Sequence, residues 1–219
     1  MNETDKARVI AAYNARIDEH GATPEALGWA RRRHNVRFAV FAEMLPLDGC
    51  SMMDFGCGMA DFLGFVRDRG HDVQYTGIDI NPRLIEVGQQ RYPDAELMVA
   101  DILATPLQRR FDFAVASGVH NVKIADNDAF LRGSLDALWD CADRAVALNF
   151  LSDRVAWRTE DSHHHDPCAV LALCYEKTNK VVLRNDYMPF EFTVVLYKDD
   201  AFDRQHVVYP EYAHLVDGE

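Results

Sequence analysis

The sequence predicts an α/β fold built on a doubly wound, seven-stranded sheet, mostly parallel with an antiparallel last strand, preceded by an N-terminal helical lid. From Ser51 onward, short apolar runs alternate with segments of helical periodicity, which is typical of a parallel sheet covered by helices on both faces. The first apolar run ends at a Gly-x-Gly turn, Gly56 and Gly58. Only Met188 and Pro189 separate the last two runs, which is close enough for an antiparallel hairpin.

Composition limits the class of protein. The chain has 219 residues, of which 48% are hydrophobic and 26% charged, so it is long enough for one domain with a modest appendage. Its net charge of −12 disfavours nucleic acid as a partner. We see neither an apolar stretch of membrane-spanning length nor a signal-peptide core. The five scattered cysteines form no Cys-x-x-Cys pair. We therefore expect a cytoplasmic monomer or homodimer with no membrane contact and no metal site.

The first 48 residues are predicted to form two helices. Thr4 is placed to cap the first, which runs to about His20. Thr23-Pro24 is placed to open the second, which continues to Met44. We expect these helices to cover the substrate as a lid.

The second predicted helix also carries the basic run Arg31–Arg33. Two interpretations remain open for this region. The run can be a solvated basic patch, or Trp29, Arg33 and Arg37 can line the mouth of the cofactor site and contact substrate.

The remaining elements follow in order. The predicted strands cover residues 51–55, 73–80, 96–100, 111–117, 144–151, 180–187 and 190–198. Predicted helices cover residues 60–69, 82–92 after the cap Asn81, a segment that ends at Cys141 after a cap at Asn127 or Asp128, and 167–177 after the cap Asp166. The predicted domain organisation is a lid at 1–48, a core at 49–199 and a tail at 200–219 that packs on the core.

Acidic residues recur at the ends of three predicted strands. Asp54 ends the first, Asp79 lies near the end of the second, about 20 residues after Gly58, and Asp101 follows the third. The carboxyl ends of parallel strands meet at one edge of a sheet, where ligands bind. Asp79 is placed to accept both ribose hydroxyls of a nucleoside, and Asp101 to accept an adenine amine. Each acid could instead simply cap a turn or end a strand.

The segments 54–58, 75–82, 99–102 and 111–118 resemble, in this order, the motifs of class I S-adenosylmethionine-dependent methyltransferases, a family with a Rossmann-like fold. The resemblance implies that S-adenosyl-L-methionine is bound and S-adenosyl-L-homocysteine is the product. It also implies a set of cofactor-binding residues: Asp54, Gly56, Cys57 and Gly58 at the amino-acid end, Asp79 at the ribose, Asp101 at the adenine between Ile80 and Ile102, and Ser117 and Gly118 beneath the sulfonium. Ala60 departs from the commoner glycine.

A nicotinamide-dependent oxidoreductase is the competing interpretation of the glycine turn. Its G-x-G-x-x-G fingerprint requires glycine where this chain has Asp61, whose charge would repel a pyrophosphate. Asp54 likewise suits the ammonium of a methionine and not a dinucleotide. These two acids favour the methyltransferase.

Methyl transfer needs alignment of the nucleophile more than it needs a base. Loops at the carboxyl edge offer His120, as substrate contact or base, and Asn149, which interrupts an apolar strand, as catalytic candidates. Asn121, His163 and Tyr187 are further substrate candidates. Three consecutive histidines at 163–165 point in different directions, so we predict a substrate-facing or surface loop there and no metal.

The expected activity is transfer of the methyl group to an O or N nucleophile of a small molecule or peptide. Two alternatives remain: a macromolecular methyltransferase acting on tRNA, rRNA or protein, and a non-catalytic cofactor-binding partner or regulatory protein. Only an enzyme would convert S-adenosylmethionine to S-adenosylhomocysteine with some acceptor.

Overall fold

The computed structural model describes residues 1–29 and 33–216. The strands are β1 Cys50–Phe55, β2 Val73–Asp79, β3 Glu96–Val99, β4 Phe111–Ser117, β5 Ala142–Leu151, β6 Val181–Arg184 and β7 Glu191–Tyr197. The helices are α1 Glu3–His20, α2 His34–Met44, α3 Asp61–Asp68, α4 Pro82–Arg91, α5 Asn127–Cys141 and α6 Pro167–Tyr175.

All seven strands form one sheet in the order β3-β2-β1-β4-β5-β7-β6. The pairs from β3 to β5 are parallel, whereas β7 runs antiparallel to both β5 and β6. The predicted fold class is thereby confirmed. The strand order reverses between β1 and β4, which makes their carboxyl ends the expected place for a ligand. In this register Ser117 lies beside Asn149, and Asn149 lies beside Thr193.

The sheet separates two hydrophobic clusters because alternate side chains of each strand point to opposite faces. Met53 and Ala114 belong to the cluster beneath α5 and α6. Met52 and Phe113 belong to the cluster beneath α2 and α3, where Phe38 and Phe62 stack with ring centroids 4.8 Å apart. Both faces are buried, so the strands read as nearly continuous apolar runs.

Three predicted helix starts were wrong. Asn2, not Thr4, caps α1, its side chain accepting the amide of Asp5 at 2.8 Å. Asp126, one residue before the predicted candidates, caps α5. The predicted second helix does not run from Thr23: a 3₁₀ turn, Pro24–Leu27, ends at Gly28 in the left-handed conformation (φ 84°), and α2 begins only at His34. Arg31 and Arg32 lie outside the described residues.

The segment after β7 contacts the core through Lys180. Its ammonium lies 2.7 Å from a carboxylate oxygen of Glu211 and 4.4 Å from the ring centroid of Tyr209. These contacts agree with a tail that packs on the core, while the domain boundaries stay a prediction. Within the described ranges, no helix has the length and apolar character needed to cross a membrane.

Candidate functional site

The glycine turn forms the floor of a pocket at the carboxyl ends of β1, β2 and β4. Gly56 (φ 70°) and Gly58 (φ 56°) both have left-handed backbones. A Cβ on Gly56 would collide with the side chain of Val119, and one on Gly58 would lie 3.3 Å from Leu27. The backbone therefore approaches the pocket closely enough to hold a ligand. Ala60, where the resembling family commonly has glycine, also takes a left-handed conformation (φ 60°).

Asp79 lies at the end of β2, facing this turn. One of its carboxylate oxygens accepts the amide of Gly58 at 3.0 Å, and the other accepts the amide of Asn81 at 2.8 Å. Both bonds orient the carboxylate at the pocket wall, where each oxygen keeps a second lone pair for a ligand hydroxyl. This geometry fits a ribose diol. Burial raises the pKa of Asp79, against the opposing effect of the backbone donors.

Asp54 is a buried acid at the end of β1, 3% exposed. It lines the same pocket and accepts the hydroxyl of Tyr75 at 2.6 Å. Burial raises its pKa to about 7, and repulsion from Asp79 and Asp61 adds to the shift, while the Tyr75 hydrogen bond opposes it. A buried carboxyl of this kind ionises most readily beside a cation, such as the methionine ammonium predicted to lie here.

Asp101 also lines the pocket, but it is already paired. The ammonium of Lys6, on α1, lies 2.5 Å from one carboxylate oxygen, and the other accepts the amide of Leu103 at 3.0 Å. Ile80 and Ile102, predicted to flank the base, lie in different surroundings. Ile80 lines the pocket, whereas Ile102 is buried in the core beneath α5 and α6. Leu103, one residue further along the chain, lines the pocket in its place.

Helix α1 closes the pocket from above. Its side chains Lys6, Val9, Ile10 and Tyr13 line the pocket, as does Met1, which precedes the helix. Contacts with two core segments fasten it. At the loop 123–125, Asp5 accepts the amide of Ala125 at 3.0 Å and Arg8 donates to the carbonyl of Lys123 at 2.6 Å. On α4, Arg83 pairs with Asp18 at 2.6 Å. Lys6 and Tyr13 were not recognised from the sequence as pocket residues. Their helical spacing with Val9 was the available signal.

The end of the pocket near β4 is formed by Ser117, Gly118 and Trp29. Behind this wall lies Arg37, which is fully buried. Its guanidinium pairs with Glu191 through two nitrogens, one bond measuring 2.6 Å, and its Cζ lies 3.8 Å from the Trp29 ring centroid.

Asn149 and Tyr187 extend this buried polar network instead of facing the pocket. The Asn149 amide donates to the Tyr187 hydroxyl at 2.8 Å, and that hydroxyl lies 2.8 Å from the hydroxyl of Thr193. Burial raises the pKa of Tyr187 to about 12, so its hydroxyl remains protonated. The hydrogen-bonding reason expected for Asn149 is therefore present, but it is structural.

His120 lies in the core, 1% exposed, and not in the wall of the pocket. Its Nε2 lies 2.7 Å from the Ser134 hydroxyl, and its ring packs between Phe130 and Phe150. Burial lowers its pKa to about 3, and the neighbouring His165 adds to the shift, so the imidazole is neutral. The structure does not favour the predicted role of base or substrate contact, because apolar packing separates the ring from the pocket.

Asn121 and His163 fasten neighbouring loops to each other. The Asn121 side chain accepts the amide of Leu151 at 2.8 Å, and its carbonyl accepts the amide of His163 at 2.9 Å. Neither side chain is part of the pocket wall. Among residues 1–29 and 33–216, no group of three potential ligands is arranged to hold a metal ion.

The fold and this pocket define a class: an α/β domain whose glycine turn and strand-end acids surround one pocket at the carboxyl edge of the sheet. Residues 52–139 match a family described as a methyltransferase domain. A putative methyltransferase of Mycobacterium tuberculosis is 33% identical over 159 residues, covering 69% of this chain and 95% of the relative. The chain belongs to the class I S-adenosylmethionine-dependent methyltransferases, and its cofactor is S-adenosylmethionine.

Two further similarities agree with this assignment. The magnesium-protoporphyrin O-methyltransferase of Rhodobacter capsulatus is 36% identical over 93 residues, 39% of this chain and 40% of that protein. The crystal structure of magnesium protoporphyrin IX methyltransferase from Synechocystis PCC 6803 with bound S-adenosylhomocysteine superposes with a TM-score of 0.59 at 14% identity, covering 75% of this chain and 81% of that one. The structural likeness is one of fold.

Proposed function

We propose that this methyltransferase acts on an oxygen or nitrogen nucleophile of a small molecule or short peptide, and that the transfer is a direct displacement. The enclosure of the pocket is the observation that carries the proposal. Helix α1 lies over it and is fastened to the core at Asp5, Arg8 and Asp18. A pocket covered in this way suits an acceptor that fits beneath the lid better than a folded macromolecule.

The lining of the pocket supports the same acceptor class. Beyond the acids that face the cofactor, its wall is largely apolar and aromatic, with Leu27, Trp29, Phe38 and Phe62 on the side of the lid. The net charge of −12 opposes an extended contact with the phosphates of RNA or DNA. The magnesium-protoporphyrin O-methyltransferases found as relatives act on a small molecule, which agrees with this proposal.

In the proposed reaction, the bound cofactor supplies a methyl group activated by its sulfonium. The nucleophile's lone pair forms the new bond to the methyl carbon, and the electrons of the broken carbon–sulfur bond return to sulfur, giving the thioether S-adenosylhomocysteine. A hydroxyl or amine acceptor also loses a proton. The protein's contribution in this proposal is orientation and exclusion of water. Besides the acids, the ionisable side chains of the described lining are those of Lys6, Tyr13, His34 and Cys57.

Transfer of isotope-labelled methyl groups tests the acceptor class. An extract of the source cells is separated into a low-mass fraction, an RNA fraction and a protein fraction, and each is incubated with the enzyme and S-adenosylmethionine carrying a ¹³C-methyl group. Mass spectrometry locates the label. The Asp79→Ala variant, expected to bind cofactor poorly, is the control for background labelling.

We expect labelled product in the low-mass fraction, with S-adenosylhomocysteine formed in equal amount. Label found only in RNA or only in protein would replace the proposal with a macromolecular acceptor. Cofactor binding with no turnover in any fraction would instead indicate a non-catalytic partner protein.

A further inference from the structure

Arg37 has one nitrogen that its known contacts do not use. Its Nε and Nη2 atoms both bind Glu191, but Nη1 is buried and has no hydrogen-bond partner among the described residues. An unsatisfied donor on a buried charged group costs free energy, so such a group generally has a partner in the functional state.

The position of Nη1 points to the pocket. A Cβ built on Gly118 would lie 2.7 Å from this nitrogen, and 3.4 Å from both the Asn121 amide nitrogen and a carbon of the Trp29 indole. Gly118 and Trp29 both line the pocket. The free nitrogen therefore lies beside a pocket-lining residue that has no side chain to cover it.

A residue of opposite charge, Asp54, lies on β1, the strand beside β4. Asp54 pairs with Val115 in the parallel register of β1 and β4, and Gly118 follows Val115 by three residues. A buried acid and an incompletely paired guanidinium thus flank the same end of the pocket. Asp54 is suited to an ammonium, and the Nη1 donor is suited to a carboxylate.

We propose that Arg37 binds the α-carboxylate of the cofactor's methionine moiety through Nη1, while Asp54 binds its α-ammonium. The amino-acid end of S-adenosylmethionine is a zwitterion, and these are complementary groups for its two charges. Glu191 holds the guanidinium in place and Trp29 stacks over its plane, so Arg37 is fixed before the ligand arrives. The inference rests on the cofactor and is independent of the acceptor.

A carboxylate of the methyl acceptor is a weaker candidate than the cofactor's carboxylate as the partner of Arg37 Nη1. The pairing with Glu191 leaves the Arg37–Glu191 unit without net charge, and the acids Asp54 and Asp79 line the same pocket. A free anion would be repelled there. The cofactor's carboxylate is attached to two positive charges that these acids attract, so it reaches Nη1 without that penalty.

The experiment removes the carboxylate from the ligand and the donor from the protein. Calorimetry measures binding of S-adenosylhomocysteine and of its decarboxylated analogue, which keeps the amine, to the wild type and to Arg37→Lys. Lysine retains the positive charge for Glu191 but has a single nitrogen, which cannot serve both partners. Arg184→Lys is the matched control, because Arg184 pairs with Glu43 and Asp186 and does not line the pocket.

We expect Arg37→Lys to lower the affinity for S-adenosylhomocysteine about 10- to 100-fold. The affinity for the decarboxylated analogue should stay within about threefold of that of the wild type. Arg184→Lys should change neither. If Arg37→Lys fails to fold, the double variant Arg37→Gln, Glu191→Gln, which removes both buried charges together, takes its place with the same expectation. Equal loss for both ligands, or no loss for S-adenosylhomocysteine, would overturn the proposal. A selective loss without any detectable acceptor would uphold it while refuting the proposed function.

Discussion

Asp54→Asn should abolish a pH dependence of cofactor binding that the wild-type protein shows. Burial, with repulsion from Asp79 and Asp61, raises the pKa of Asp54 to about 7. Only the ionised carboxylate attracts the ammonium of the cofactor. With a pKa of about 7, about one tenth of the sites are ionised at pH 6 and about one half at pH 7. The affinity for S-adenosylhomocysteine should therefore rise about fivefold across this unit.

The raised pKa of Asp54 also affects folding stability, which falls as the pH rises while the affinity for the cofactor increases. Folded Asp54 keeps its proton to a higher pH than in the unfolded chain, where its pKa is near 3.8. Its favourable contribution to folding is therefore complete below pH 4 or so and is lost as the pH rises to about 7. A bound ammonium offsets that loss, so the increase in melting temperature caused by S-adenosylhomocysteine should be larger at pH 7 than at pH 6.

Calorimetry at several pH values between 6 and 7 measures how the affinity depends on pH. This interval lies below the range of about 7.7–8.0 in which an α-amino group titrates, so the ligand's ammonium stays charged. 5′-Methylthioadenosine, which lacks the amino-acid end, is the ligand control and should bind with the same affinity throughout. A flat wild-type profile, or an undiminished slope in Asp54→Asn, would refute the assignment of Asp54 to the ammonium.

Three further substitutions test other parts of the site. Asp79→Ala should lower the affinity for S-adenosylhomocysteine at least about tenfold in calorimetry, because the ribose hydroxyls lose their acceptor. Unchanged affinity would remove Asp79 from that role. Gly118→Ala should lower the free energy of unfolding by roughly 1–3 kcal/mol, since φ is 76° and the new Cβ would lie 2.7 Å from Arg37. Gly133→Ala, where a Cβ meets nothing within 4 Å, is its control in thermal melts. His120→Ala should cost about 2–4 kcal/mol of stability with little change in cofactor affinity; lost turnover in a stable variant would return His120 to catalysis.

Features determined by neighbouring residues were predictable from the sequence. The bounds of β4 were predicted correctly, and the starts of α4 and α6 were correct because a capping residue directly precedes a proline in each. Competition between nearby caps was not resolvable. Asn2 and Thr4 are both good caps, and only the geometry shows that Asn2 accepts the first amide of α1.

The cofactor end of the site was predictable for a related reason. Asp54 and Asp79 end adjacent parallel strands, so topology alone brings them to one edge. Asp101 reaches the same edge because it follows a parallel strand, but the position of its partner, Lys6, does not follow from the topology of the sheet. Lys6 reaches it from a helix nearly a hundred residues earlier, and no local pattern assigns one lysine among many to one carboxylate.

The network behind Gly118 shows where sequence reasoning can be extended. Arg37 lies one turn from Phe41 on the buried face of α2, where the loss of hydration of a charge must be compensated by a partner. A lone arginine on an apolar helical face therefore predicts a buried acid elsewhere, here Glu191, 154 residues away. A guanidinium has three nitrogens, and one carboxylate pairs with two of them here, which leaves Nη1 without a partner among the described residues. A buried donor left over from such a pair is the feature on which the proposed contact with a third group rests.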